Sequence, residues 1–476
     1  MTKIYFGTDG WRAILDNEIN TGSVAVVAQA FTDYVMEESG SGSSVAVAYD
    51  SRRNSREFAE VFSRVMMSGG INVLLAPEVT PTPVLSYTVL ERKCFAGVMI
   101  TASHNPAEYN GIKFKASYGG PFSLDQTRRV EQLLYAHEPS FHKGPLPLYD
   151  MLPAYKAHIE PLINWDVIRK ASLPLLVDSM GGAGSDLIQG ILAEHGCFSV
   201  KTIFGQPSNS FYGRLAEPIA KNLVPASNEL KSGNYALCIA TDGDADRLGV
   251  VQDDGVFLSA QTTILLIVDY LKRVRRQKGG IVHTSSVTAK LREHFLSADT
   301  PVYDVQVGFK YITDVMVREE ICFGGEESGG FGYGMHIPER DGIFSGLLFL
   351  EMLSASTFTR LTEYVSSREK ELGKIFYDRI DAPCERPDRM KILPCLLNSE
   401  LKAIAGIPIR KVQHFYSSRG IVNGLKYILQ GECRWLLIRA SETEPLLRFY
   451  SEGQDPEEVR DFLDEGIRLT SEIKTI

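Results

Sequence analysis

Three stretches of the chain, residues 45–75, 173–204 and 279–307, follow one pattern: a β-branched apolar run, a polar turn of glycine, serine or asparagine, an amphipathic helical segment, and a second apolar run. Each reads as a βαβ unit, which commits its two strands to one sheet with a helix across it. In the first, Phe58, Val61, Phe62 and Val65 recur at helical spacing until Gly69 and Gly70 stop the helix. Three such units in succession predict three related α/β domains in a row. A chain of 476 residues, 44% hydrophobic and 23% charged, has the length and apolar content for them.

The joints are marked by breakers. Pro139, Pro145, Pro147 and Pro153 crowd the stretch between the first two units, and Asp253-Asp254-Gly255 makes a turn before the third. From about Cys384 to Pro387 the pattern changes. Strands at 412–416, 425–429, 435–439 and 446–450 precede a helix with Asp455 as N-cap, Pro456 at its first position and Glu458 three residues after the cap. The expected division is 1–150, 151–255, 256–375 and a smaller α+β domain at 376–476.

A net charge of −9 without blocks of like charge excludes a nucleic-acid or anionic-membrane surface, so an anionic substrate must meet a local basic pocket. Seven cysteines (94, 197, 238, 322, 384, 395 and 433) stand singly, as reduced core residues of a cytoplasmic protein would. The beginning MTKIYFGTDGW has no signal-like apolar run, and the apolar stretches 262–271 and 347–353 fall short of the ~20 residues of a spanning helix.

The chemistry concentrates in loops after apolar runs. TASHNP at 101–106 follows the run 96–100 and carries Ser103 and His104, with Lys113 further on in YNGIKF. A serine hydroxyl is a weak nucleophile that needs a base or a charge-neutralising cation beside it. DGDADR at 242–247 spaces Asp242, Asp244 and Asp246 by two and ends in Arg247, a cage for a hard cation such as Mg²⁺. Together the two loops point to phosphoryl transfer through a phosphorylated serine. GGEESGG at 324–330 offers Glu326 and Ser328 to sugar hydroxyls; Lys310 and Arg340-Asp341 read equally as pocket charges or as surface. RASETEPLLR at 439–448 brackets Ser441 and Thr443 with Arg439 and Arg448, forks and hydroxyls suited to a phosphate monoester. FGTDGWR at 6–12 adds Thr8 and Arg12 on a tight turn.

Taken in order, FGTDGWR, TASHNPxxYNGIKF, DGDADR, GGEESGG and RxSxTEPxxR resemble the motifs of the α-D-phosphohexomutases, the phosphoglucomutases and phosphomannomutases. The resemblance runs from Phe6 to about Tyr450. It implies four domains around a central cleft, three of related α/β topology and a C-terminal α+β domain. It also implies that Ser103 is the phosphoserine, that Asp242, Asp244 and Asp246 bind Mg²⁺ together with the Ser103 phosphate, and that Glu326 and Ser328 hold sugar hydroxyls. Arg439, Ser441, Thr443 and Arg448 would grip the phosphate that is not reacting, and Arg12, His104, Lys113, Arg247 and Lys310 match positions lining the family's active site. Two departures stand out. Glu442 brings a carboxylate into the phosphate loop, and Gly330 stands where many members carry histidine.

The expected activity is reversible interconversion of hexose 1-phosphate and hexose 6-phosphate through a hexose 1,6-bisphosphate, which also serves as primer, with Lys113 or His104 moving the hydroxyl proton. Glu327 leans toward glucose, with mannose next and phosphoglucosamine as an alternative. The protein would work on small-molecule sugar phosphates as a monomer or homodimer. A Mg²⁺-dependent phosphatase using Asp242 as nucleophile and a non-catalytic sugar-phosphate sensor are the rivals.

Overall fold

A computed structural model describes residues 4–7, 9–399, 401–417, 420–441 and 445–474. The first sheet contains β1 (Trp11–Ile14), β2 (Ser44–Tyr49), β3 (Asn72–Leu75), β4 (Ala96–Ile100) and β5 (Tyr109–Ala116). The second contains β6 (Leu175–Asp178), β7 (Val200–Ile203), β8 (Leu237–Thr241), β9 (Leu248–Gln252) and β10 (Phe257–Leu258), and the third β11 (Gly280–Thr284), β12 (Val302–Val305), β13 (Ile321–Gly325) and β14 (Phe331–Tyr333). All three share one topology, β3-β2-β4-β5, β7-β6-β8-β9 and β12-β11-β13-β14. The opening strand of each βαβ unit lies centrally, its partner and the third strand run parallel on either side, and the next strand returns antiparallel to the third.

That repetition locates the site. The connection from third to fourth strand is residues 101–108 in the first domain, 242–247 in the second and 326–330 in the third. One topological position, at the carboxyl end of a parallel strand, therefore carries the serine, the aspartates and the glutamate.

The fourth sheet runs β15 (Phe376–Pro383), β20 (Leu446–Gly453), β19 (Trp435–Ala440), β18 (Val422–Leu429), β17 (Ile407–Tyr416), β16 (Ala403–Ile404), antiparallel throughout. Helices Arg386–Asn398 and Pro456–Lys474 pack on it. Asp455 Oδ1 accepts from the backbone N–H of Glu457 and Glu458, each at 2.9 Å, as its N-cap reading requires.

Asp253-Asp254-Gly255 makes the expected turn before the third unit: it closes the β9–β10 hairpin, in which Val251 faces Phe257, so the second sheet extends to Leu258. One sequence expectation is corrected. Cys384 to Pro387 is not the joint to the last domain, because β15 already pairs along its whole length with β20; the joint is residues 373–375.

Helix Gly342–Ser354 is buried at every position, the pattern of a helix enclosed on all sides. Asp341 caps it, Oδ1 accepting from the N–H of Phe344 at 2.8 Å. It packs on β8 and β9 of the second sheet and β14 of the third. One apolar cluster runs from Leu85 in the first domain through Ile239 to Phe323 and Leu347. The fourth domain has a core of its own around Leu425, Ile438, Phe449 and Phe462. No described helix is long and apolar enough to cross a membrane.

Candidate active site

Ser103 follows the fully buried strand β4 and is itself 1% exposed. Its φ of +51° is left-handed, an uncommon conformation for a residue with a Cβ and one that collects at functional sites. Its Oγ donates to Asp242 Oδ2 at 2.9 Å, joining the first-domain and second-domain loops. Gly243 permits this approach, since a Cβ there would lie 2.4 Å from the Ser103 carbonyl oxygen.

The Ser103 loop hangs on Arg52. Nη2 donates to the carbonyls of Ser103 and Asn105, both at 2.6 Å, and Nη1 to those of Pro106 and Tyr109 at 2.7 and 2.9 Å. Asp50 pairs with Arg52 Nε at 3.2 Å and accepts from Thr101 Oγ1 at 2.6 Å, which in turn accepts the Ser103 N–H at 2.7 Å.

Asp242, Asp244 and Asp246 are all fully buried and each brings a carboxylate oxygen within 4.8 Å of the others. Asp242 Oδ1 accepts from the N–H groups of Asp246 and Arg247 at 2.9 and 3.1 Å. Asp244 Oδ2 accepts from Thr82 Oγ1 at 2.6 Å and from Lys113 Nζ at 2.8 Å. Asp246 Oδ2 pairs with Lys113 at 3.1 Å and with Arg340 at 2.8 Å. Burial and the neighbouring Asp246 and Asp244 push the Asp242 carboxyl well up, while Asp244 Oδ1 and Asp246 Oδ1 are buried without a hydrogen-bond partner. Crowded, partly unsatisfied oxygen ligands of this kind fit a hard divalent cation.

Lys113 and His104 are tuned oppositely. Burial works against the Lys113 charge, but Asp244, Asp246 and Asp9 outweigh it and hold the ammonium protonated. Burial and the cations Arg247, Arg12 and Lys113 push His104 well below the ordinary histidine range. Arg12 Nη1 donates to Asn105 Oδ1 at 2.8 Å, and Arg247 Nη1 lies 3.6 Å from Glu217.

The 326–330 loop meets the aspartate loop directly: Arg247 and Gly330 form a β-bridge, and the Leu248 N–H donates to the Gly329 carbonyl at 2.9 Å. Glu326 Oε1 accepts from Ser328 Oγ at 2.8 Å, and burial raises its carboxyl. Glu327 Oε2 accepts instead from Ser286 Oγ at 2.6 Å, turning back to its own domain. Lys310, in the first turn of helix Phe309–Met316, is buried with Nζ 5.0 Å from the Tyr311 ring centre.

In the fourth domain Arg439 and Arg448 face each other across β19 and β20, beside the hairpin tip. Ser441 is buried, its N–H donating to the Leu446 carbonyl at 3.0 Å and its carbonyl accepting from Arg389. Asp381 pairs with Arg379 at 2.6 Å and lies 3.7 Å from Arg448. Thr8, Glu442 and Thr443 lie outside the described residues.

Sequence reasoning missed Asp9, Asp50, Arg52, Thr82 and Thr101, and left Arg340 undecided. Asp9 stands inside FGTDGWR, so proximity to a chosen motif was its one signal. Thr101 likewise opens TASHNP, beside the Ser103 N–H it accepts, whereas Arg52, Thr82 and Arg340 act on partners tens to hundreds of residues away.

Comparisons with known proteins agree with the geometry. Family models of phosphoglucomutase/phosphomannomutase match in chain order, alpha/beta/alpha domain I at residues 3–140, domain II at 153–255, domain III at 259–372 and the C-terminal domain at 391–468. A phosphoglucomutase/phosphomannomutase of Thermococcus kodakarensis is 28% identical over 98% of both chains, and a protein of Thermococcus gammatolerans named "probable phosphoglucosamine mutase" is 30% identical over 98% of both. The crystal structure of a Thermus thermophilus protein named "putative phosphomannomutase" superposes with a TM-score of 0.82 at 32% identity, covering 99% of this chain and 100% of that one. With five loops in family order on four domains around a central cleft, the chain belongs to the phosphoglucomutase/phosphomannomutase family of α-D-phosphohexomutases and is an intramolecular phosphotransferase.

Proposed function

We propose that the protein interconverts hexose 1-phosphate and hexose 6-phosphate, glucose first and mannose next, through phosphorylated Ser103 and a hexose 1,6-bisphosphate. The observation that carries the reading is the Ser103 Oγ, 2.9 Å from Asp242 and beside the buried aspartate cluster. Mg²⁺ held by Asp242, Asp244 and Asp246 with the Ser103 phosphate would neutralise charge on the phosphoryl oxygens.

The chain's own groups do the rest. The free hydroxyl of a bound sugar monophosphate attacks phosphorus on Ser103. The bond to Oγ breaks with its electron pair returning to the serine, and the hydroxyl proton passes to a base. His104, held neutral by burial and its cationic neighbours, suits that role; Lys113, held as a cation, suits charge neutralisation with Arg12 and Arg247. Glu326 and Ser328 take sugar hydroxyls. Arg439, Ser441, Thr443 and Arg448 take the distant phosphate, with Lys310 and Thr8 completing the lining. The bisphosphate then turns end for end and returns its other phosphate to Ser103, so both loops must accept either orientation.

Ser103→Ala should abolish isomer interconversion even with added bisphosphate, and full activity in that variant refutes the mechanism. A second reading, phosphoglucosamine mutase, is favoured by the name of the Thermococcus gammatolerans relative. Comparing kcat/KM for glucose, mannose and glucosamine 1-phosphates, each with Mg²⁺ and its matching bisphosphate, decides between them.

A further inference from the structure

Gly330 ends the sugar loop, and the space a side chain would fill there is taken. A Cβ would lie 2.4 Å from Cδ and 2.9 Å from Cγ of Arg340, and 3.0 Å from Glu326 Oε1. Through this gap the buried Arg340 reaches carboxylates of three domains. Nη2 pairs with Asp9 at 2.7 Å and with Asp246 at 2.8 Å, and Nη1 with Glu326 at 3.3 Å. Glu339 lies 3.6 Å from Nε, and the guanidinium carbon stands 5.5 Å from the Phe309 ring centre. The next residue, Asp341, caps the fully buried helix Gly342–Ser354, so the backbone that presents the guanidinium is fixed.

We propose that Arg340 is a positioning residue that links the metal loop to the sugar loop, holding Glu326 in place for sugar hydroxyls while it occupies an oxygen of Asp246. The inference rests on the proposed function, in which Asp246 ligates the metal and Glu326 receives the sugar. Its consequences have opposite signs. A cation bonded to Asp246 competes with a metal for that carboxylate, so losing it strengthens metal binding. The same loss leaves Glu326 without its clamp, so sugar-phosphate binding weakens.

The test is calorimetric titration of the full chain with Mg²⁺ and, separately, with glucose 1-phosphate. Arg340→Met should bind Mg²⁺ about tenfold more tightly and glucose 1-phosphate about tenfold more weakly, the scale of one charge-assisted hydrogen bond. Gly330→Ala, which displaces the arginine stem without removing a charge, should shift both in the same directions by less. If Arg340→Met does not fold, Gly330→Ala and Arg340→Lys carry the comparison. Weakening of both ligands, as a purely structural role entails, overturns the proposal, as does unchanged Mg²⁺ affinity in folded variants. Wild-type protein that binds no Mg²⁺ overturns the proposed function as well; wild type that binds Mg²⁺ and interconverts isomers confines the failure to Arg340.

Discussion

Arg52 aims both arms of its guanidinium at the backbone of the Ser103 loop, four carbonyls in all, while Asp50 balances its charge and Phe211 of the second domain lies 4.7 Å away, ring centre to guanidinium carbon. A lysine keeps the charge but lacks the planar fork, so it can serve only some of those carbonyls. Each lost charge-assisted bond costs about 1.5–3 kcal/mol, and here the loss falls on the left-handed conformation of Ser103. Arg52→Lys should therefore lower kcat by about ten- to a hundredfold with little change in KM, because the groups proposed to hold the sugar are untouched. Steady-state kinetics beside a melting curve separate this from unfolding, and a proportional rise in KM with unchanged kcat counts against it. Ser103 and the three aspartates were legible because each follows an apolar run at a strand end, where local spacing carries the signal. Arg52 was not, since its value lies in partners 51 to 57 residues onward that only the fold brings near.

Among elements, the three βαβ units were legible because their strands are continuous apolar runs and their helices amphipathic. β15 was not, because FYDRIDAP has no buried position, mixing half-exposed with exposed residues, and ends in proline, giving little apolar pattern. Helix Arg386–Asn398 was hidden for a related reason: Pro394 stands inside it, where a sequence reading expects a break. Helix Gly342–Ser354 showed its apolar character but not its office, which is to be packed by two domains at once. Phe344 is wholly buried there, with its ring 5.1 Å from that of Tyr333 and 4.8 Å from that of His336. Phe344→Ala should destabilise the protein by about 3–5 kcal/mol. Because the helix joins the second and third domains, chemical denaturation should show them unfolding together; separate transitions for these two domains would contradict a shared core.

On the scale of the whole molecule, the first three domains share an apolar cluster while the fourth keeps its own, so any movement between them should turn on residues 373–375, where Gly373 adopts a φ of +76°. The fourth domain is also pinned to the third. Glu452 is 1% exposed, and its carboxylate accepts from Thr288 Oγ1 at 2.5 Å, the Ala289 N–H at 2.8 Å and Trp435 Nε1 at 2.7 Å. Glu452 lies near the end of β20 remote from the phosphate loop, about 20 Å from Leu446 at ~3.3 Å per residue. It is thus a fulcrum with a long arm: a rotation of about 10° around it carries Leu446, at the strand end beyond Arg448, about 3–4 Å. Such closure would exclude water from a phosphorylated serine that would otherwise hydrolyse. Small-angle scattering should show the protein contract when saturated with hexose phosphate and Mg²⁺. Glu452→Ala leaves three donors unpaired and frees the pivot, so it should expand the ligand-free protein and raise KM about tenfold. Identical scattering with and without ligand in the wild type would mean that the fourth domain does not close on the substrate.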